Sequence, residues 1–321
     1  MGAISTNWHG KPYYSLDAYC KNEFGHKCYK IAINAGMTCP NRDGTLDTRG
    51  CIFCSAGGSG DFASVGASIQ EQLERGKALF GDKKTGNHYI AYFQAYTNTY
   101  APIPYLRKVF SEALNHAEVC GISIATRPDC IDSSVLKLLQ DIQADYPDKF
   151  IWVELGLQTI HESTAAYIRR GYPLDCFRRV AGELRACNIP FIVHVILGLP
   201  GESPKMIYET IRHLNTYAPF GIKLQLLHVL QGTDLYKNYE AGQFLVYTQE
   251  EYTKILIHCL ELLSPEIVVH RITGDGPKDL LVAPKWSLNK RNVLNTLHRQ
   301  MQQTNAYQGR LFHVTGSTDF I

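Results

Sequence analysis

Three cysteines, Cys39, Cys51 and Cys54, lie in the stretch "CPNRDGTLDTRGCIFC" at the spacing C-x11-C-x2-C, amid Gly, Asp, Arg and Asn. Thiolates are soft ligands, and a cluster of them in a polar loop reads as a metal site. A structural zinc wants a fourth protein ligand, and the nearest later candidate, His88, lies beyond a whole helical segment. Iron–sulfur clusters bind cysteine thiolate, and a [4Fe–4S] cluster on three protein thiols leaves one iron open to another molecule. The other seven cysteines (Cys20, Cys28, Cys120, Cys130, Cys176, Cys187 and Cys259) have no ligand-like spacing and read as small core residues.

Such a site needs a frame. Short β-branched or aromatic runs at 30–36, 88–94, 121–127, 150–158, 191–200 and 222–230 alternate with amphipathic segments, of which "SIQEQLERGKALF" and "DSSVLKLLQDIQADY" are typical. Alternation of this kind predicts parallel strands joined by crossover helices, and runs that are apolar throughout predict strands buried on both faces. The fold class is therefore α/β, a partial (β/α)6 TIM-like barrel of parallel strands. The cysteine loop follows the first strand, at the carboxyl end where such barrels assemble their sites. Residues 1–29 read as an N-terminal extension, 30–231 as the barrel with its cluster loop at 39–54, and 232–321 as a C-terminal α/β extension packed on it. That extension is expected to hold a helix at 248–263, a strand at 266–272 and a basic helix at 286–304.

Composition excludes several classes. The 321 residues are 45% hydrophobic and 19% charged with net charge +2, which is neither a disordered chain nor a strongly basic one. No apolar run reaches the ~20 residues of a membrane span, and "MGAISTNWHGKPYYSL" lacks a signal-peptide core, so a cytoplasmic chain with reduced thiols is expected.

The triad, the strand and helix repeat and the motif "CPNRDGT…GC.FCS..GSGDF" together resemble the radical S-adenosylmethionine superfamily. The long first gap is similar to its elongator-catalytic-subunit-like branch, and most of all to the bacterial YtqA/YhcC-type radical SAM proteins. The resemblance implies that Cys39, Cys51 and Cys54 ligate a [4Fe–4S] cluster whose fourth iron takes the methionine end of S-adenosylmethionine. Reductive cleavage then gives a 5′-deoxyadenosyl radical that abstracts hydrogen, with flavodoxin or ferredoxin as electron donor. It also implies cofactor contacts. Gln94, Ala95 and Tyr96 would neighbour the methionine amino group, Arg127 its carboxylate, Glu154 and Gln158 the ribose side, and Val195 and Ile196 the adenine. An aromatic core strand is the other reading of 94–96, and a buried Arg127–Glu154 ion pair that of the two charged residues.

For substrate, the resemblance implies the wobble uridine of tRNA, in a 5-methylaminomethyluridine-type pathway. Tyr167, Arg169, Arg170, Tyr172, Arg178 and Arg179 in one segment, and Lys285, Trp286, Lys290, Arg291 and Arg299 in another, mix cations with rings as RNA binders do; solvated helix faces are the alternative. A small metabolite, cofactor precursor or protein side chain is the second substrate reading, and a zinc-stabilised binding module the non-enzymatic one. No acetyltransferase domain and no second cluster domain are expected from the residues around the barrel. Arg271 and Asp275 read as substrate contacts or a surface turn, and His228 as a satisfied core histidine. His26, Asn41, Arg42 and Asp43 are expected to order the cluster loop, Gly44 and Gly50 to turn it, and Phe53 to screen it.

Overall fold

A computed structural model describes residues 8–63, 66, 68–81 and 86–313. Helix α1 (Leu16–Phe24) precedes a run of βα units: β1 (Tyr29–Ile33), α2 (Ile69–Ala78), β2 (Tyr89–Phe93), α3 (Ile103–Leu114), β3 (Val119–Thr126), α4 (Ser133–Asp145), β4 (Phe150–Gln158), α5 (Glu162–Tyr167), α6 (Leu174–Ala186), β5 (Phe191–Leu197), α7 (Pro204–Asn215) and β6 (Gly221–Leu226). Then follow β7 (Val229–Leu230), α8 (Asp234–Glu240), α9 (Gln249–Leu262), β8 (Val268–Arg271), β9 (Leu281–Ala283) and α10 (Lys290–Gln303).

Local chemistry explains the helix starts. Ser68, Asp132, Ser203 and Thr248 each accept a backbone N–H of the first helical turn, and Thr248 closes a capping box with Glu251. Helix α4 buries Val135, Leu136, Leu138, Leu139 and Ile142, one stripe at helical spacing, and each such side chain contributes roughly 1.5–3 kcal/mol on leaving water. Among the described residues, no helix is long and apolar enough to cross a membrane.

Seven parallel strands pair in the order β1-β2-β3-β4-β5-β6-β8 and curl into a half-barrel with helices outside. The expected six-stranded partial barrel is present, and the strand foreseen at 266–272 does more than pack on it. It pairs with β6, Gly221 opposite Val268 and Lys223 opposite Arg271, so the sheet has a seventh member from beyond residue 231. A small antiparallel pair, β7 with β9, lies beside it.

Strand alternation sorts the side chains. Val153, Val193, Val195 and Leu224 join the apolar core under the helices. The register places Tyr92 beside Ser123, His194 beside Lys223 and Lys223 beside Arg271, so the polar strand residues share the concave face. β1 and β8 are the two edges of the curl, and the cysteine loop leaves one while Arg271 ends the other.

Candidate functional site: a three-cysteine cavity at the half-barrel mouth

A cavity of ≈ 240 Å³ opens at the carboxyl ends of the strands, and Cys39, Cys51 and Cys54 all line it. The loop that carries them is built from within. Arg42 N–H donates to Cys39 O at 2.8 Å, Gly50 N–H to Asn41 O at 2.7 Å and Cys54 N–H to Cys51 O at 3.0 Å. The Arg42 guanidinium donates to the carbonyls of Cys54 and Ser55 and lies flat on Gly50, where an added Cβ would stand 3.0 Å from Arg42 Nε. Gly50 also has φ +75°, so only glycine suits the position.

The buried Asn41 side chain donates to Arg169 O at 2.7 Å and reaches Cys51 Sγ at 3.5 Å. Asn41 and Arg42 thus do what the sequence suggests. His26 does not: its ring stacks on His88 at 3.2 Å, at the amino ends of the strands.

The loop extends further than 39–54. Gly58 lies against Tyr96, with room for no Cβ (2.2 Å from Tyr96 Cδ1), and Gly60 against Ala95 (2.4 Å from its Cβ). Gln94 Nε2 donates to Ser59 O at 2.7 Å, Tyr96 OH to Ala56 O at 2.8 Å and Tyr96 N–H to Gly58 O at 2.9 Å. Gln94 and Tyr96 line the cavity, and Ala95 is buried behind the loop. The "GSGDF" motif is legible as a signal for this close approach only once Tyr96 is known to lie beneath it.

The segment "YIRRGY" is the clearest departure from expectation. Arg170 is 2% exposed, donates to the carbonyls of Tyr172, Leu157 and Thr159, and pairs with Glu162. Tyr172 is buried against Arg127 and Arg170, and Arg169 pairs with Asp234 at 2.7 Å. Gly171, at φ +83°, presses on Asn41 Oδ1. These residues prop the cysteine loop and offer no basic face. Arg178 and Arg179 are more exposed and pair with Asp175 and Glu183 on their own helix. In the other segment Trp286 is held by Tyr247 O and Tyr252, and Lys290 pairs with Asp275, which leaves Arg291 and Arg299 exposed on α10.

Arg127 is 8% exposed, grips Asp129 through Nε and Nη2 (2.9 and 2.7 Å), and lines the cavity. It does not pair with Glu154. Glu154 is fully buried; one carboxylate oxygen accepts from Lys30 at 2.6 Å and from Ser123, the other from His194 at 2.6 Å and from Lys223. Burial pushes this carboxyl up, but Lys223, Lys30 and the His194 hydrogen bond outweigh it and hold the group ionised, well below the ordinary range. Burial pushes Lys223 down, and His194 down to about 4, so the imidazole is neutral. With four donors taken, Glu154 is the anion of the cavity floor.

Gln158 has φ +68°, lines the cavity, and its buried Oε1 has no partner among the described residues. Ile196 lines the cavity, whereas alternation turns Val195 into the helix-side core, so only one of the two flanks the opening. His228 also departs from its reading as a satisfied core residue. β6 ends at Leu226, alternation stops, and His228 lines the cavity together with Gln225, its Nε2 buried and unpartnered among the described residues. Arg271 and Asp275 line it too.

Of the other seven thiols, Cys20, Cys28 and Cys259 are buried as core residues, whereas Cys120, Cys130, Cys176 and Cys187 are half-buried. Cys20, Cys28 and Cys120 gather at the amino ends of the strands, Cys28 Sγ 3.7 Å from Cys120 Sγ, against Trp152, Ile90 and Ile192.

The donor set fits an iron–sulfur cluster. Burial raises the Cys51 thiol to about 12 and raises Cys54 as well, so ligation must displace protons. Asn41 at Cys51, and Ser59 Oγ at 3.7 Å from Cys54 Sγ, are polar neighbours of the kind that tune cluster sulfurs. Among the described residues no three Cys, His, Asp or Glu side chains are grouped closely enough to hold a single metal ion.

Comparison with known proteins agrees. Residues 46–214 match the family model "Radical SAM superfamily", and residues 219–303 the "Radical_SAM C-terminal domain". Protein YtqA of Bacillus subtilis is 42% identical over 303 residues (94% of this chain, 93% of that protein), and protein YhcC of Escherichia coli 35% over 282 residues (87% and 89%). A Methanocaldococcus jannaschii tRNA uridine(34) acetyltransferase is 23% identical over 186 residues, covering 57% of this chain and 33% of the enzyme. Among solved structures, archaeal Methanocaldococcus infernus Elp3 with an N-terminal deletion superposes with TM-score 0.66 at 16% identity, over 88% of this chain and 64% of that one, which shows a shared fold. The chain belongs to the radical SAM superfamily, whose chemistry runs on a [4Fe–4S] cluster and S-adenosylmethionine.

Proposed function

We propose that this radical SAM enzyme modifies a uridine side chain at the wobble position of tRNA. The observation that carries the reading is the likeness over the barrel, in sequence to tRNA uridine(34) acetyltransferases and in fold to an archaeal Elp3. On this reading Cys39, Cys51 and Cys54 hold the cluster, and Asn41 and Arg42 keep their sulfurs in place. When bound, the cluster and S-adenosylmethionine supply a one-electron cleavage that delivers a hydrogen-abstracting carbon radical.

The chain's own residues bind, orient and exclude water. Gln158 offers an unpaired amide oxygen to a cofactor hydroxyl, Ile196 an apolar flank to the adenine, and Arg127 a cation to the methionine carboxylate, while Gln94 and Tyr96 hold the loop against the sheet. The Glu154 network fixes the floor beneath. Phe53 lines the cavity beside the cysteines and keeps water from the cluster. A cytoplasmic location and a flavodoxin- or ferredoxin-type electron donor accompany this reading.

The test is to delete the gene and compare tRNA nucleosides by mass spectrometry after complete digestion. A modified uridine disappears or a precursor accumulates, and the wild-type gene restores the profile. An unchanged nucleoside profile refutes the tRNA reading.

A further inference from the structure

One wall of the cavity is built by the β8 edge of the sheet. Arg271 ends β8 there. Its guanidinium carries five donors, yet among the described residues its one partner is Asp275, with Nη2 to Oδ2 at 3.4 Å. Lys290 binds the same carboxylate, so two cations share one anion. The Glu154 floor repeats that ratio, with Lys30 and Lys223 on a single carboxylate. Beside Arg271 stands His228 with its buried, unpartnered Nε2. A buried donor or acceptor without a partner costs about 1–3 kcal/mol, and such groups in a cavity wall are met by ligands.

The loop after β8 is shaped around this pair. An added Cβ on Gly274 would stand 2.6 Å from His228 Cε1, and one on Gly276 3.2 Å from His228 Nδ1. The imidazole is therefore held in the cavity wall by the two glycines, with its Nε2 buried and without a partner among the described residues. Burial, helped by Lys290 and Arg271, lowers His228 to about 4, so it stays neutral beside the cations and serves as a hydrogen-bonding group.

We infer that Arg271 and His228 form an anion-binding subsite for the substrate, taking a carboxylate or phosphate group that accepts from the guanidinium and from His228 Nε2–H. Asp275 and Lys290 position the guanidinium. The subsite lies at the β8 edge of the sheet, the cysteine loop leaving the other edge at β1. The inference rests on the cavity being the substrate chamber and does not depend on the substrate being tRNA.

The experiment uses the reconstituted full-length enzyme with S-adenosylmethionine bound. Thermal midpoints are titrated with sodium phosphate and, separately, sodium acetate, with ionic strength balanced by chloride. The wild type is stabilised, and Arg271→Gln and His228→Leu each weaken the apparent affinity about tenfold, as expected for loss of a charge-assisted bond. Arg107→Gln, on the far side of the helical layer, responds like the wild type. The tighter anion tells phosphate from carboxylate. Arg271→Lys, which keeps the charge and loses the fork, gives an intermediate response and stands in if Arg271→Gln does not fold. No stabilisation of the wild type, or equal stabilisation of all variants, overturns the inference. So does a parallel tenfold loss of S-adenosylmethionine affinity, which would give the corner to the cofactor. The tRNA reading is decided separately by the nucleoside profile.

Discussion

Replacing Lys223 by Met tests the buried floor most directly. The substitution keeps the length of the side chain and removes one of the two ammonium groups on a carboxylate with no solvent exposure. Removing a charged hydrogen-bond donor from a buried carboxylate costs about 1.5–3 kcal/mol, Lys30 still neutralising Glu154. For a chain of 321 residues the unfolding entropy is roughly 0.7 kcal/mol/K, so the expected fall in melting temperature is about 2–4 °C. Differential scanning calorimetry at pH 7 reads this directly. The double variant Glu154→Gln/Lys223→Met should lose much less than the sum of its single changes, since the two share one interaction.

The acid limb follows from the same geometry. Glu154 has its folded pKa depressed, so its contribution is complete above the unfolded value of ~4.3 and is lost as the pH falls toward the lower folded value. A Lys223→Met variant that melts within about 1 °C of the wild type would refute the reasoning, because it would mean that Lys223 stands there as an uncharged amine.

Further outcomes are expected. Cys51→Ala should abolish iron and sulfide retention after reconstitution, measured chemically and by visible absorbance; a variant that keeps its cluster and still cleaves S-adenosylmethionine sinks the ligand assignment. Gly58→Ala drives a methyl into the Tyr96 ring at φ +58°, so the loop must move and iron content should fall while the far-ultraviolet circular dichroism stays unchanged. His194 is folded with a pKa near 4 against ~6.5 unfolded, so between pH 6.5 and 4 the unfolded chain gains a proton that the fold refuses. Stability should drop by about 1.4 kcal/mol per pH unit on that account, and His194→Gln should flatten the slope in urea titrations. His270 has both ring nitrogens buried and unpartnered among the described residues, packed by Trp152 and Phe220, so His270→Leu should raise the melting temperature; a fall of several degrees would show a hidden partner.

Much of the site was legible in the chain itself. The spacing of Cys39, Cys51 and Cys54 after a strand, the alternation of apolar runs with amphipathic segments, and caps such as Ser68 and Thr248 are local signals. They report ligand type, strand and helix period and chain direction, which do not depend on distant neighbours. Tertiary structure decided everything that turns on who stands opposite. "YIRRGY" reads as a basic, aromatic face, and only the fold shows Arg170 spent on the carbonyls of Tyr172, Leu157 and Thr159. Glu154 reads equally as a partner for Arg127 or for a ribose, and only the curl of the sheet brings Lys30 and Lys223, from strands far apart in sequence, onto its carboxylate. His228 reads as a satisfied core histidine, and only the fold places it in the cavity wall, because nothing local marks the end of β6 at Leu226. The sequence by itself determined the elements, the spacing of the cysteine triad and the mouth where it gathers. Which charges neutralise one another, and which remain free to meet a substrate, was decided by the closure of the half-barrel, because pairing depends on distances across the sheet that no one-dimensional spacing encodes.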